Sequence, residues 1–328
     1  MLDIIIPTYK NKEGLRRTLN SINTDLLPQI TVTVIDDCSN MVYNDILEEF
    51  PFITIFYNKE NIGPGMTRQY GIEMTKEPYI TFIDTNDYFL SKDVLNTILN
   101  EIKERPKTVI FSWQYLINDK PSDDSNNRLH GRVYKRKFLT QYNISFCPES
   151  SRTNEDIGFN RLCRIIIKNF KLPTISFTDP VIDYTVDADS ITHKNNGEFF
   201  YKQQNMGLAL NSIHGIQIAR KNNLSEDIIL EEINTVMAGL YYAFLCTINE
   251  RPEFSQEAWE GARFYYEKIF SKEKNNPGGR FLNEGYSKFI KAIYTRRSRW
   301  PLQYRSINVI RFLSDLSKYA VIPSWYLT

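Results

Sequence analysis

Two carboxylates stand at the end of an apolar run in the first third of the sequence. Residues 79–83 have the length and composition of a buried strand, and Asp84-Thr85-Asn86-Asp87 follow them directly. A hard divalent cation takes oxygen ligands and usually shares them with substrate phosphates. This tetrad therefore predicts a site for a cation and a diphosphate. Asn86 occupies the position where a second metal-binding Asp is expected.

With an amide at position 86, the cation can be held in three ways, and the sequence does not choose between them. An amide oxygen can ligate a cation but supplies no charge, so cation affinity should fall. Asp87 can take its place if the turn presents that carboxylate, or it can instead cap a helix that begins near Ser91. The third way is weak metal dependence, with basic side chains neutralising the diphosphate. We predict Mn²⁺ or Mg²⁺ as the cofactor, with Asp84, Asn86 and Asp87 as its ligands.

Strands that alternate with helices must position these residues. The apolar runs that read as strands cover residues 2–6, 30–35, 52–57, 79–83 and 108–115, and later 174–177 and 181–186. Helical spacing of apolar residues covers 14–22 and 94–102. This alternation is typical of an α/β fold with a Rossmann-like, mainly parallel sheet and flanking helices. Ligands of such sheets bind beyond the carboxyl ends of the strands, so the polar residues that follow each strand are candidates.

Asp36 and Asp37 follow the second strand, where an unpaired charge would be costly to bury. We expect them at the solvent-exposed end of that strand. Asp37 can accept hydrogen bonds from a nucleobase N–H or a ribose hydroxyl. It can equally cap a helix at residues 44–50, and the spacing does not separate the two roles.

A glycine-rich segment, NIGPG at residues 61–65, opens a predicted helix that carries Arg68 one turn later. Glycine lets a backbone approach a ligand closely, and arginine offers a planar fork of donors to an anion or a base carbonyl. Taken alone this signal is weak, because Gly and Pro also punctuate ordinary turns.

Six stretches together resemble the family 2 glycosyltransferases, which have the GT-A nucleotide-sugar-binding fold. They are IIIPTYKNKEGLRRTLNSI (4–22), VIDDCS (34–39), NIGPGMTRQYGI (61–72), YITFIDTNDYF (79–89), GRVYKRKFLTQYNISF (131–146) and TNEDIGFNRLC (153–163). Their order and spacing agree with the family over residues 2–195. Residues 187–193 resemble the family's closing segment.

The resemblance implies an inverting single displacement in which a sugar leaves its nucleotide diphosphate, with UDP as the expected nucleotide. The implied donor-binding residues are Pro7, Thr8, Tyr9, Asp37, Asn61, Arg68, Asp84 and Thr85. Asp156 is the implied general base that deprotonates the acceptor hydroxyl. Glu155 and His193 are further candidates, although a single His in a polar loop is more often merely solvated.

Asp156 also has a structural interpretation. Ser151, Thr153 or Asn154 can cap a helix through residue 166, whose first turn favours acidic residues because of the helix dipole. A carboxylate within reach of the acceptor hydroxyl would also speed proton removal by about 10²–10⁴-fold. The two roles are compatible.

Composition predicts a globular protein with one large domain and an appendage or with two domains, since 42% of the 328 residues are hydrophobic and 24% are charged. The extent of the family resemblance and the change in sequence character near residue 195 imply domains at 1–195 and 196–328. Four cysteines and three histidines show no zinc or disulfide spacing. No run approaches the roughly 20 apolar residues that span a bilayer, and residues 1–10 lack signal-peptide features. We therefore expect a cytoplasmic protein, with peripheral membrane association as an option.

The C-terminal region is predicted to be mostly α-helical, and it ends in a basic stretch. Residues 280–328 contain nine Lys and Arg against two acidic residues, while the net charge of the whole chain is +1. Such asymmetry suggests an anionic partner: an anionic polymer, a membrane face that presents a lipid-linked glycan, or DNA. A solvated helical face or a homo-oligomer contact explains the charge equally simply.

The sequence predicts a glycosyltransferase that acts on a surface glycan or its precursor. Two alternatives remain. One is a glycosyltransferase that acts on hydroxylated bases in DNA, supported only by the basic stretch. The other is a catalytically weak relative that binds sugar nucleotides or serves as a scaffold, which the loss of one metal carboxylate would permit.

Overall fold

The computed structural model of the protein describes residues 1–122, 128–185 and 198–225. The chain divides into two units, Met1–Lys194 and Asn195–Thr328. Of the second unit the structure describes one helix, α7 (Glu198–Lys221), and the residues that follow it to 225. The predicted roles of His193, of the segment 187–193 and of the basic stretch 280–328 lie outside the described residues. The domain division at residue 195 stays a prediction.

The first half of the larger unit alternates strands and helices in the predicted order. Its elements are β1 (Leu2–Thr8), α1 (Lys12–Asn20), β2 (Ile30–Asp36), α2 (Asn44–Glu49), β3 (Ile53–Tyr57), α3 (Pro64–Met74) and β4 (Tyr79–Phe82). The four strands pair in parallel in the order β3-β2-β1-β4. Every residue of β1 is buried, which explains why its sequence reads as a continuous apolar run rather than an alternating one. The predicted parallel sheet is confirmed here.

The second half adds antiparallel pairs that the sequence did not predict. Its elements are β5 (Tyr88–Phe89), α4 (Val94–Glu104), β6 (Ile110–Ile117), β7 (Lys120–Pro121), β8 (Arg132–Lys135), α5 (Arg136–Gln141), α6 (Glu155–Phe170) and β9 (Thr174–Tyr184). Strand β8 lies antiparallel between β4 and β6, and β9 runs parallel to β6. The two strands predicted at 174–177 and 181–186 are one continuous strand, β9. Across the described residues the sheet is therefore mixed.

Helix α3 lies unusually close to the sheet and brings its polar residues to the sheet's carboxyl edge. A Cβ atom at Gly71 would overlap the side chain of Ile5, which is fully buried in β1. The absence of a side chain at position 71 therefore permits the contact between α3 and β1. Arg68, one turn earlier, is 3% exposed.

Candidate active site

The tetrad forms a tight turn that is fastened to two neighbouring elements. The hydroxyl of Thr18 in α1 donates to the carbonyl of Asp87 (2.7 Å) and accepts from the amide of Asn86 (3.0 Å). The hydroxyl of Thr85 donates to the carbonyl of Pro7 at the end of β1 (2.7 Å). Asn86 has a φ of 88°, in the left-handed region where Asn is one of the better tolerated residues. Backbone geometry thus gives one physical reason for an amide at this position.

Three side chains with metal-binding atoms converge at this turn: Asp84, Asp87 and His130. The Nε2 atom of His130 lies 2.9 Å from Oδ2 of Asp87 and 3.8 Å from Oδ2 of Asp84. All three ligand atoms lie within 4.8 Å of one another. Asp84 is the most accessible of the three, with 36% of its side chain exposed. The cluster is therefore mostly buried and open on the side of Asp84.

The register of two strands brings His130 to the cluster. Thr81 of β4 pairs with Val133 of the antiparallel strand β8. Because β8 runs antiparallel to β4, the turn that directly precedes β8 and contains His130 lies near the end of β4 that leads to Asp84. The rings of Tyr115 and Tyr184 flank the imidazole, with centroids at 5.2 Å and 5.0 Å.

The second oxygen of each carboxylate is held by a protein donor. Oδ1 of Asp84 accepts from Nη2 of Arg68 (2.6 Å), and Oδ1 of Asp87 accepts from the amide of Thr185 (3.0 Å). Such partners orient ligands and tune their basicity. Burial acts to raise the pKa of Asp84, but Arg68 and His130 outweigh it and hold that pKa below its ordinary value. Burial raises the pKa of Asp87, and its hydrogen bond to His130 only partly offsets this.

The donor set fits a divalent cation. Carboxylates suit Mg²⁺ and Mn²⁺, and imidazole suits transition metals such as Zn²⁺ and Fe²⁺. Asp84 and Asp87 both lie in this cluster, and their role as cation ligands stays a prediction. The alternative that Asp87 caps the following helix is wrong. That helix, α4, begins at Val94 with Asp93 as its N-cap residue. The role of Asn86 as a ligand stays a prediction.

Arg68 joins the turn of residues 84–87 to the first turn of α6. Its Nη1 atom lies 3.1 Å from Oε1 of Glu155, while its Nη2 atom bonds to Asp84. Both Nη groups therefore have carboxylate partners. The contact with a base or phosphate that was predicted for Arg68 stays a prediction.

Asp156 and Glu155 lie in the first turn of α6, as the helix-dipole interpretation predicts. The N-cap residue is Asn154. One oxygen of Asp156 accepts from the amide of Ile157 (2.7 Å). Burial raises the pKa of Asp156, although Arg68 lowers it in part. Burial and the charge of Asp156 raise the pKa of Glu155 to about 7. A carboxylate with an elevated pKa suits general-base work near neutral pH.

Asp37 holds the loop that leads into α3. Its carboxylate accepts from the amides of Ile62 (2.8 Å) and Gly63 (2.9 Å) and from Nδ2 of Asn58 (2.9 Å). The cap that was considered for α2 is wrong, since the N-cap residue there is Tyr43. Asn61 donates to the carbonyl of Asp37 (3.1 Å). The glycine-rich entry and the aspartate after β2 thus form one unit.

The end of β1 supplies the remaining predicted residues. Pro7 and Thr8 are buried, while the side chain of Tyr9 is 46% exposed. His130 is the site residue that sequence reasoning missed, because it was considered only as a partner for cysteines. Its position directly before the stretch 131–146 was the available signal.

Comparisons with known proteins agree with this geometry. Residues 3–159 match the sequence model of "Glycosyl transferase family 2". Glycosyltransferase GlyA of Streptococcus pneumoniae is 26% identical over 121 residues, which is 36% of this chain and 17% of GlyA. The Escherichia coli enzyme WfaP, a UDP-Glc:alpha-D-GlcNAc-diphosphoundecaprenol beta-1,3-glucosyltransferase, is 22% identical over 247 residues, 74% of this chain and 92% of WfaP.

The crystal structure of S. aureus TarS superposes with a TM-score of 0.55 at 14% identity, covering 99% of this chain and 54% of TarS. The chain thus spans about half of TarS and a smaller part of GlyA. The described residues contain no helix long and apolar enough to cross a membrane. The predicted GT-A fold is confirmed, and residues 3–159 of this chain match the sequence model of the family 2 glycosyltransferases.

Proposed function

We propose that this protein transfers a sugar from a UDP-linked donor to an acceptor hydroxyl on a surface glycan or its lipid-linked precursor, with inversion at the anomeric carbon. The observation that carries the proposal is the cluster of Asp84, Asp87 and His130 at the edge of the parallel sheet, joined through Arg68 to the helix of Asp156. TarS has been crystallised with UDP and with UDP-GlcNAc, and the name of WfaP specifies a diphosphoundecaprenol-linked acceptor. Both relatives support a donor and an acceptor of these classes.

A divalent cation held by Asp84, Asp87 and His130 would neutralise the charge that gathers on the leaving diphosphate. Arg68 holds the Asp84 carboxylate so that its other oxygen faces the cation site. We place the nucleotide at the ends of β1 and β2. The residues assigned there are Pro7, Thr8, Tyr9, Asp37, Asn61 and Thr85.

Asp156 takes the proton from the acceptor hydroxyl as the oxygen attacks the anomeric carbon. The bond between that carbon and the diphosphate oxygen breaks in the same step, so the configuration inverts. Because burial raises the pKa of Asp156 above its ordinary value, this carboxylate is a stronger base than an exposed one.

A panel of UDP- and GDP-sugars, each with and without Mn²⁺, tests the proposal by the release of free nucleotide and by thermal shift. We expect Mn²⁺-dependent binding and turnover with at least one UDP-sugar. Neither turnover nor a thermal shift with any donor would show that the chain is not a sugar-nucleotide enzyme.

Asp156→Asn tests the base. We expect transfer to fall by at least about 10²-fold, the lower end of what a general base contributes. Binding of UDP should change little, because the substitution keeps the shape of the side chain. Asp25→Asn, at an exposed carboxylate in the 3₁₀ turn after α1, is the matched control. Transfer that survives Asp156→Asn would remove this residue from the base role.

A further inference from the structure

Helix α3 receives its N-terminal cap from a distant segment. Its N-cap residue, Gly63, has no side chain to accept from the first-turn amides, which need partners. Ser151 supplies acceptors for two of these amides. Its carbonyl accepts from the amide of Gly65 (2.9 Å), and its hydroxyl accepts from the amide of Met66 (2.7 Å). Ser151 is 6% exposed and lies just before α6.

A second contact, one turn further along α3, joins this helix to α6. Glu155, in the first turn of α6, pairs with Arg68 of α3 at 3.1 Å, and both side chains are mostly buried at 12% and 4% exposure. The helices touch so closely that a Cβ atom at Gly65 would lie 2.9 Å from Cβ of Glu155. Glycine at position 65 therefore permits the contact.

The contact between Arg68 and Glu155 links the two halves of the proposed reaction centre. Arg68 holds Asp84, the accessible member of the metal cluster, and Glu155 is adjacent in sequence to Asp156. We propose that Ser151 and Glu155 are positioning residues that lock the first turn of α6, and with it Asp156, onto α3 and the donor side of the site. The inference rests on the proposed function. Such locking matters because a misplacement of about 1 Å can cost about 10²-fold in rate.

The first experiment needs no ligand. Hydrogen exchange followed by mass spectrometry is measured on the full chain and on Ser151→Ala, Ser151→Thr and Glu155→Ala. Glu73→Gln, at an exposed carboxylate of α3, is the control. We expect Ser151→Ala and Glu155→Ala each to speed exchange in peptides from both α3 and the first turn of α6, because each removes a contact between them. Ser151→Thr, which keeps the hydroxyl, should restore wild-type exchange, and the control should match wild type.

Exchange that speeds up only in the peptide carrying the substitution would overturn the inference, whether or not the variant is active.

The second experiment measures UDP binding with Mn²⁺ and donor turnover on the same variants. A positioning role predicts that kcat falls by about tenfold or more, while the Kd for UDP changes less than about threefold. Parallel losses of binding, kcat and Tm would instead make the contacts merely structural. A wild-type chain that binds no nucleotide would sink the proposed function, and the exchange result would still decide whether the two helices are coupled.

Discussion

At the residue scale, the candidate cation site combines two carboxylates with a histidine from the turn directly before β8. Removing a direct ligand should weaken binding at least as much as losing an outer-shell partner, which costs about 10–100-fold. We therefore expect His130→Ala to lower Mn²⁺ affinity by about tenfold or more in titrations of the protein with Mn²⁺ alone. His214→Ala, on α7, is the matched control. Unchanged affinity in His130→Ala would exclude the imidazole as a ligand.

The same residues show how far sequence reasoning reaches at this scale. Asp84 and Asp87 could be predicted because they lie three positions apart, directly after a strand, and one turn brings both to the same place. His130 lies 43 residues from Asp87, and only the register between β4 and β8 brings the two together. That register depends on strand pairing, which local composition does not encode.

At the element scale, the close packing of α3 on β1 gives a direct prediction. Alanine favours a helix over glycine by about 1 kcal/mol, but overpacking a buried site costs about 1–3 kcal/mol. A Cβ atom at position 71 would overlap Ile5, so Gly71→Ala should lower the free energy of unfolding, measured by urea denaturation. In an Ile5→Ala background the overlap is gone, and the same change should become neutral or stabilising. Equal effects in both backgrounds would show that packing against Ile5 does not decide the outcome.

Periodicity predicted the strands of the parallel half of the sheet, because each is a short apolar run bounded by polar turns, and it predicted helices α1 and α4 from their helical spacing of apolar residues. Strand β8 was not recognised, since its four residues, Arg132–Lys135, carry two charges and do not read as apolar. The division of β9 into two predicted strands followed from Asp179 and Pro180. The structure accommodates them at a register shift beside β6.

At the scale of the whole molecule, the buried carboxylates of the site make the free energy of unfolding depend on their protonation. Three carboxylates, Asp87, Glu155 and Asp156, have pKa values raised by burial, whereas the pKa of Asp84 is lowered. A fold that keeps such groups out of water is stabilised when they are protonated or when a cation neutralises them. Binding of Mn²⁺ alone at 100 times its Kd should therefore raise the free energy of unfolding, measured by urea denaturation, by about 2.7 kcal/mol.

The pKa shift of Glu155 defines the pH range over which the free energy of unfolding should change. Its pKa rises from 4.5 to about 7 on folding, so the folded state binds more protons between these values than the unfolded state does. The stability that Glu155 contributes is complete below pH 4.5 and is lost as the pH rises through 7. Urea denaturation should thus show wild type losing stability relative to Glu155→Gln between pH 5 and pH 8, whereas Glu73→Gln should track wild type. If the free energy of unfolding of wild type instead rises relative to that of Glu155→Gln as the pH increases, the ion pair with Arg68 outweighs burial and keeps Glu155 charged over this pH range.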